Sequence, residues 1–330
     1  MVDEVRLLTA DDIETTRNLL QGRVLRTPLI AAPQLGKITN TEFYFKAEIF
    51  QHTASYKPRA TISRLSALSD EEKKRGVLTI SAGNLAQGLA LAAAELGIDA
   101  TVVLPATAPK SKIAATRAYG AQTVIHDGEI TQLMDRAQQL IDEHGYTFIH
   151  PLSALSLAAG NASIGMEILE DLADIDVVLV PVGGGTLISG IATAIKLHSP
   201  GTRVIGVEPV GAPSMTLSLQ AGSVVPLASA KSIADGLCAP FTSENTLLHT
   251  KKYVDEVLLV EEDEIVRAML AILEHSKLLC EGAGATGFAA LLSQRLRLAA
   301  GSRVVCVLSG GNVDLPVLQK LIDDRHLYEN

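Results

Sequence analysis

From about residue 70, continuous apolar runs alternate along the chain with amphipathic or alanine-rich segments. The apolar runs are rich in β-branched residues and predict buried strands, whereas apolar residues at helical spacing predict helices. This alternation is typical of parallel sheets covered by helices on both faces, so the predicted fold class is α/β. The predicted strands are 77–81, 100–105, 121–126, 146–150, 176–182, 202–208 and 303–308, and the predicted helices are 58–68, 69–76, 84–97, 110–120, 129–145, 162–172, 186–198, 262–278 and 287–298.

One stretch without charged residues, Val177 to Ile195, approaches the length of a transmembrane helix. Pro181 and three consecutive glycines interrupt it, which predicts a strand, a turn and a helix instead. The N-terminal segment is acidic and lacks the apolar core of a signal peptide. We therefore expect no membrane association.

Composition narrows the class of protein. A chain of 330 residues can bury a sizeable core and is long enough for two domains. A net charge of −9 without any Lys/Arg block argues against binding nucleic acid or an anionic membrane. The cysteines Cys238, Cys280 and Cys306 are scattered and show no metal-ligand spacing or disulfide framework, which favours a cytoplasmic location.

Three polar, glycine-containing clusters follow predicted strands: 81–84 (Ser-Ala-Gly-Asn), 183–186 (Gly-Gly-Gly-Thr) and 309–312 (Ser-Gly-Gly-Asn). In parallel sheets, ligands bind at the carboxyl ends of the strands. Any one cluster could be only a tight turn. All three together predict a ligand site.

Lys57 lies between a hydroxyl-rich segment and Pro58. Proline suits the first turn of a helix, so the helix 58–68 would place Lys57 at its positive end. That position is unfavourable for an ammonium ion and favours the neutral amine, which is the nucleophilic form. Lys57 is therefore a candidate nucleophile.

The glycine turn 183–186 opens a predicted helix, where backbone N–H groups can bind phosphate. A dinucleotide site would require G-x-G-x-x-G, but Ile188 stands at the sixth position; Glu208 could still imitate the ribose-binding acid, so a nucleotide-dependent oxidoreductase stays open as an alternative. A P-loop is excluded because no Gly-Lys-Ser/Thr follows. A small cofactor with one phosphate fits better, and pyridoxal phosphate joins a phosphate to a lysine.

Motifs around these residues resemble those of the serine/threonine dehydratase and serine racemase family, the pyridoxal-phosphate enzymes of fold type II. "ASYKPRAT" (54–61) resembles its Ser-Phe-Lys-x-Arg-Gly-Ala motif, "SAGNLAQG" (81–88) its asparagine loop, and "PVGGGTL" (181–187) its phosphate loop. "CEGAGATGFAAL" (280–291) and "VLSGGNVDL" (307–315) resemble its late motifs. The five motifs follow the family's order and span nearly the whole chain.

The resemblance implies a fold like that of the tryptophan synthase β subunit, with two parallel α/β domains and pyridoxal 5'-phosphate between them. Residues 1–66 and 151–330 would form the large cofactor-binding domain, and residues 67–150 the small domain that carries the substrate loop. It also implies a homo-oligomer, most simply a dimer, that acts on a small amino acid.

The resemblance also assigns roles to individual residues. Lys57 would hold the cofactor as an imine and act as the base at Cα, and Asn84 would bind the pyridoxal hydroxyl oxygen. Ser309 would face the pyridine nitrogen, and Ser81 would bind the substrate carboxylate. The implied catalytic residues are Lys57 and Ser81; the cofactor-binding residues are Tyr56, Lys57, Asn84, Gly183, Gly184, Gly185, Thr186, Leu187 and Ser309; and the substrate loop is Ser81, Ala82, Gly83 and Asn84.

A serine at position 309 also bears on the reaction. Since a hydroxyl does not stabilise a protonated pyridine ring as a carboxylate does, the ring is a weaker electron sink, which favours β-elimination over transamination. The expected function is an ammonia-lyase that converts an L-β-hydroxy-α-amino acid to a 2-oxo acid and ammonia. Threonine and serine are the expected substrates because they are the family's commonest. Leu85 and Leu152 depart from its polar pattern, which is either neutral drift or a sign of a bulkier substrate such as phenylserine, and this alternative stays open. Serine racemase is the alternative, although Ala82 stands where racemases carry a second serine.

A cation site is a further expectation from the resemblance, without a firm assignment. "GVEPVGAPS" resembles the family's cation-binding segment through Glu208 and the carbonyl of Ala212. The third ligand is usually aspartate, and here that residue is Ser214. Glu281 could be a helix-end charge or a neighbour of a cation.

Overall fold

The computed structural model describes residues 5–108, 110–128, 132–152 and 155–328. In this part of the chain the strands form two sheets. The larger sheet has six strands in the order β1-β2-β10-β7-β8-β9, and the smaller has four in the order β5-β4-β3-β6. All neighbouring strands are parallel except the pair β1–β2. The strands are β1 (Leu29–Ala31), β2 (Glu42–Ala47), β3 (Val77–Ile80), β4 (Ala100–Pro105), β5 (Gln122–His126), β6 (Thr147–Phe148), β7 (Val177–Pro181), β8 (Arg203–Pro209), β9 (Glu256–Val260) and β10 (Arg303–Leu308).

Helices cover both sheets, as the alternating pattern predicts. They are α1 (Ala10–Leu20), α2 (Pro33–Thr39), α3 (Lys57–Ser66), α4 (Asp70–Lys74), α5 (Asn84–Leu96), α6 (Lys110–Ala118), α7 (Leu133–His144), α8 (Leu155–Asp171), α9 (Thr186–His198), α10 (Ser214–Ala221), α11 (Glu244–Tyr253), α12 (Glu262–Ser276), α13 (Gly282–Leu292) and α14 (Leu315–Asp323). The predicted α/β class with parallel sheets is confirmed.

The core of the larger sheet is almost wholly apolar. β7 is buried at every residue, as expected for a strand with helices on both faces. On one face, the rings of Phe43, Phe45 and Phe288 meet at centroid distances between 4.8 and 6.0 Å. They fix helix α13 against β2 and β10, and so hold the carboxyl ends of the central strands in place.

Several predicted boundaries are wrong. The helix predicted at 162–172 extends from Leu155 to Asp171, and the helix predicted at 58–68 ends at Ser66. The helix predicted at 287–298 runs from Gly282 to Leu292, so its amino end lies five residues earlier in the chain. The first residues of the helix predicted at 129–145 lie outside the described residues.

The two sheets come from different parts of the chain. Strands β3 to β6 lie between residues 77 and 148, whereas the larger sheet uses strands before and after this segment. The exact domain boundaries, 66/67 and 150/151, remain predictions. The uncharged stretch from Val177 is strand β7, the glycine turn and helix α9, as predicted. None of the described helices is long and apolar enough to cross a membrane.

Candidate active site

A cavity of about 770 Å³ lies where β3, β7 and β10 end. Every residue of the predicted site lines it, although the residues come from four separate segments. These residues are Tyr56, Lys57, Ser81, Ala82, Gly83, Asn84, Gly183, Gly184, Gly185, Thr186, Leu187 and Ser309.

Lys57 is the first residue of helix α3, with Pro58 immediately after it. Its Nζ donates a hydrogen bond of 2.7 Å to the hydroxyl of Tyr56 and lies 4.6 Å from the centre of that ring. Helix α5 approaches closely here, because a Cβ added at Gly88 would lie only 2.7 Å from the Cβ of Lys57. The close contact with Gly88 fixes the main chain that carries the lysine.

A buried cluster of ion pairs holds helix α3 on the side away from the cavity, at Arg59. Arg59, fully buried, donates to both oxygens of Glu48 at 2.9 and 3.0 Å and to both oxygens of Glu167 at 2.6 and 2.9 Å. Lys46 is also fully buried and donates to Glu167 at 2.6 Å. The two cations and two carboxylates balance in charge, so burial leaves no unpaired ion. Helix α3, and with it Lys57, is therefore held rigidly.

The glycine turn, residues 183–186, brings its main chain close to neighbouring residues. Gly185 has φ +92°, a conformation that favours glycine, and it caps helix α9. A Cβ at Gly183 would lie 3.0 Å from the backbone of Leu237, and one at Gly184 would lie 2.1 Å from a methyl carbon of Leu152. Side chains at these glycines would fill the hollow that the turn forms, which we call the cradle. Since α9 is 13 residues long and starts here, its first N–H groups suit a single phosphate.

A chain of hydrogen bonds fixes the amide of Asn84. Asn312 donates to the carbonyl oxygen of Thr53 at 2.8 Å and to the side-chain oxygen of Asn84 at 2.8 Å. The side-chain nitrogen of Asn84 then donates to Glu281 at 2.5 Å. Because a backbone carbonyl can only accept, the orientation of both amides is determined. The amide N–H₂ of Asn84 therefore faces Glu281.

Glu281 is the buried carboxyl group of the cavity. Its second oxygen, Oε2, is buried and has no hydrogen-bond partner among the described residues. Burial raises the pKa of Glu281 to about 7, and nearby Asp235 adds to the increase, while Lys112 opposes it. Lys112 and Asp235 form an ion pair of 2.5 Å that joins helix α6 to the segment after α10. Sequence reasoning did not select this pair, because neither residue lies in a recognisable motif.

Ser81 and Ser309 lie at the ends of strands β3 and β10. The side-chain oxygen of Ser81 accepts a hydrogen bond of 3.3 Å from the N–H of Gly83, so part of its bonding capacity stabilises the turn. Ser309 is buried, and its carbonyl oxygen accepts 3.1 Å from the N–H of Tyr56. That bond ties strand β10 to the residue that precedes Lys57.

Glu208 lies away from this cavity. Its oxygens accept hydrogen bonds of 2.8 Å from the N–H groups of Met215 and Thr216, at the start of helix α10. This arrangement occupies the carboxylate and excludes the ribose-binding role that the oxidoreductase alternative required. Burial raises the pKa of Glu208 to about 7. Among the described residues, no group of three or more His, Cys, Asp or Glu side chains is arranged to hold a metal ion.

Comparison with known proteins identifies the family of this chain. A family model described as pyridoxal-phosphate dependent enzyme matches residues 20–310. The chain belongs to the pyridoxal-phosphate dependent enzyme family. Pyridoxal 5'-phosphate is therefore its cofactor, and the cradle at the start of α9 together with Lys57 fits that group.

The similar proteins within this family include threonine ammonia-lyases and a serine racemase. The chain is 42% identical to the L-threonine ammonia-lyase of Thermotoga maritima over 96% of its own length and 79% of the relative's. It is 40% identical to the catabolic L-threonine dehydratase of Escherichia coli strain K12, over 92% and 93% of the two chains. Among solved structures, maize serine racemase (34% identity, TM-score 0.89, 99% and 98% covered) and a threonine deaminase from Solanum lycopersicum (34% identity, TM-score 0.89, 98% and 96% covered) are similar.

Proposed function

We propose that this protein is an ammonia-lyase that removes water from an L-β-hydroxy-α-amino acid and releases a 2-oxo acid and ammonia. The observation that carries the proposal is the meeting of Lys57, the glycine turn and Ser309 in one cavity. The names of the relatives support the reaction, with threonine and serine as the first substrates to test.

Each residue has a distinct part in this reaction. The cofactor, when bound, supplies an electron sink for the charge that develops at Cα. Lys57 takes the proton from Cα, and the buried ion pairs of Arg59 hold the helix that carries its main chain. The turn 81–84 binds the substrate carboxylate through Ser81 and neighbouring N–H groups. Ser309 would face the pyridine nitrogen with a neutral hydroxyl instead of a carboxylate, which would disfavour a protonated ring and so favour loss of the β-hydroxyl, protonated and released as water, over transamination.

The attachment of the cofactor is tested by reduction and mapping. Borohydride treatment of the purified protein, followed by tryptic digestion, should place the phosphopyridoxyl group on Lys57. Lys112 is the other lysine that lines the cavity, so it serves as the internal control. A label on Lys112, or a protein without bound cofactor, would contradict the assignment.

The reaction class is tested with L-threonine and L-serine. We expect ammonia and the matching 2-oxo acid in equal amounts. Transamination in place of elimination would refute the proposal, and Ser309→Asp should raise the transamination side reaction. Abundant D-serine from L-serine would favour the racemase alternative, which the similarity to maize serine racemase keeps in view.

Assembly, location and domain limits complete the proposal. A homodimer is the assembly we propose, and Leu315 and Leu327, which are 74% and 64% exposed, support it as apolar surface that association would cover. Light scattering after gel filtration measures the molar mass of the assembly.

We propose a cytoplasmic location, supported by three free cysteines, which subcellular fractionation tests. Residues 67–150 as a separate small domain are supported by the smaller sheet, and hydrogen exchange on each segment tests the boundaries.

A further inference from the structure

Six large apolar side chains line the cavity. We call them the apolar wall, and they come from α5, α7, β6 and two loops. Its members come from four separate segments of the chain, and the sequence motifs drew attention only to Leu85 and Leu152. The apolar wall consists of Leu85, Leu133, Met134, Phe148, Leu152 and Phe241.

The ring of His150, which also lines the cavity, lies between Phe148 and Phe241 of the apolar wall and forms an aromatic row with them. The ring centre of His150 lies 6.2 Å from that of Phe148 and 6.0 Å from that of Phe241. The first pair meets edge to face and the second is tilted, which are favourable arrangements for aromatic rings. Such a row offers faces and edges on which another aromatic ring can pack.

The charged groups of the cavity lie elsewhere and are engaged. Lys112 is paired with Asp235 at 2.5 Å, and Glu281 accepts from Asn84 at 2.5 Å. Lys57 belongs to the cofactor. The apolar wall itself carries no charge, so a charged substrate side chain that lay against it would lose hydration without a compensating ion pair.

The lining of the site fits a large apolar substituent. Pyridoxal phosphate would take the part of the 770 Å³ cavity that Lys57 and the glycine turn border, so the apolar wall, and not the total volume, decides which substituent fits. Met134 is 49% exposed although it lines this cavity, and Phe148, Leu152 and Phe241 are only half-buried. The methyl group of threonine would leave most of this apolar surface in contact with water. An aryl group would cover it and gain the corresponding hydrophobic contact.

We propose that the preferred substrates are L-β-hydroxy-α-amino acids whose β-carbon carries an aryl or similarly large apolar group. This inference rests on the proposed elimination reaction. The Cα–H and Cβ–OH bonds break, one water leaves, and the enamine formed becomes an imine, which one water hydrolyses to the 2-oxo acid and ammonia. For 3-phenylserine the products are phenylpyruvate and ammonia, and no oxidant or reductant is needed.

The test compares L-threo-3-phenylserine, L-threonine and L-serine on the holoenzyme, by ammonia release and by the 2-oxo acid formed. We expect kcat/KM for phenylserine to exceed that for threonine by roughly tenfold or more, since one added methylene alone is worth about 10- to 200-fold in an apolar pocket. Turnover of threonine with equal or slower turnover of phenylserine overturns the inference and leaves the proposed function standing. No ammonia from any of the three refutes the proposed function itself.

Variants of the apolar wall test whether it causes the preference for phenylserine over threonine. Met134→Glu and Phe241→Ala should each lower the phenylserine-to-threonine ratio of kcat/KM by roughly tenfold. Ile125→Glu is the matched control, because Ile125 is 37% exposed on strand β5 and does not line the cavity. Both substrates are measured on one preparation, so partial unfolding lowers both activities alike and leaves the ratio unchanged. A ratio unaltered in both wall variants overturns the assignment.

Discussion

The side-chain nitrogen of Asn84 lies 2.5 Å from Oε1 of Glu281, and both groups are buried in the wall of the cavity. Asn84 begins helix α5 and Glu281 caps helix α13, so this bond connects the smaller sheet's helices to those of the larger one. Glu281 thereby determines which way the amide of Asn84 presents its N–H₂ group. If Asn84 binds the cofactor as we propose, Glu281 acts on it through Asn84 and is a positioning residue.

Replacing Glu281 with alanine should weaken cofactor binding. A lost hydrogen bond to a charged or strongly polar partner costs about 1.5–3 kcal/mol, so we expect the dissociation constant of pyridoxal phosphate to rise roughly tenfold or more. Titration of the cofactor-free protein with pyridoxal phosphate, followed by absorbance, measures it. Glu264→Ala is the control, because Glu264 is also buried but pairs with Arg295 outside the cavity. Equal losses in both variants would contradict the positioning role.

The stability of the protein should depend on pH through Glu281. Its pKa is raised from 4.5 to about 7 by burial, with Asp235 adding to the shift and Lys112 and Lys57 opposing it. Between these values the unfolded chain ionises the group while the folded protein keeps it neutral, so its contribution to stability is present below pH 4.5 and lost as pH rises through 7.

Glu281→Gln removes this loss. At 1.36 kcal/mol for each pKa unit, the variant should gain on the order of 2–3 kcal/mol over the original protein between pH 5 and pH 8. Denaturant unfolding of the cofactor-free proteins at the two pH values gives the difference. Glu208, whose pKa is also raised to about 7, is present in both proteins and cancels. A difference that stays constant with pH would refute the assignment.

The buried ionic cluster under helix α3 should be costly to break. Glu167→Ala leaves Arg59 and Lys46 buried without this partner and should reduce the free energy of unfolding by about 3–5 kcal/mol. Glu170 lies on the same helix and pairs with Arg26 at the surface, so Glu170→Ala should cost no more than about 1 kcal/mol. Denaturant titrations of the two variants check this. Similar costs for both would show that burial does not strengthen the cluster.

Racemisation should stay low because of Ala82. A racemase needs a proton-transferring group on each side of Cα, and Lys57, the base we propose, would serve only one side. The hydroxyl of Ser81 accepts from Gly83 in the turn, which holds it in place. Ala82→Ser should therefore raise racemisation relative to elimination, as chiral chromatography after incubation with L-serine measures. An unchanged ratio in the variant would mean that this position does not supply the second group.

Strand β2 shows where sequence patterns fail for the fold. It is interior to the larger sheet, yet Lys46 breaks its apolar run, and the pattern did not predict it as a strand. Lys46 can be buried only because Glu167, 121 residues later, receives its charge at 2.6 Å. Such a distant partner is invisible to a local pattern. By contrast, β10 and α9 were predicted to the residue, since their own apolar residues determine them.

The sequence pattern placed the start of helix α13 too late for another reason. Its first turns contain Gly282, Gly284 and Gly287, which disfavour a helix by propensity. Packing requires them: a Cβ at Gly284 would lie 2.6 Å from the carbonyl oxygen of Gly310, and one at Gly287 would lie 2.9 Å from the sulfur of Cys306. In the site, the motifs located residues that line one cavity. They also drew attention to Leu85 and Leu152, but the rest of the apolar wall comes from other segments and became visible only in three dimensions.

The pairing of β2 with β10 has a consequence for the way the chain assembles. Their register runs from Glu42 opposite Arg303 to Ala47 opposite Leu308. The larger sheet can therefore pair β2 with β10 only after more than 250 intervening residues have been synthesised. The smaller sheet needs only strands between residues 77 and 148 and can form earlier, since local contacts are faster to make. During synthesis, Lys57 therefore emerges long before Ser309. The catalytic cavity is one of the last features of the molecule to form.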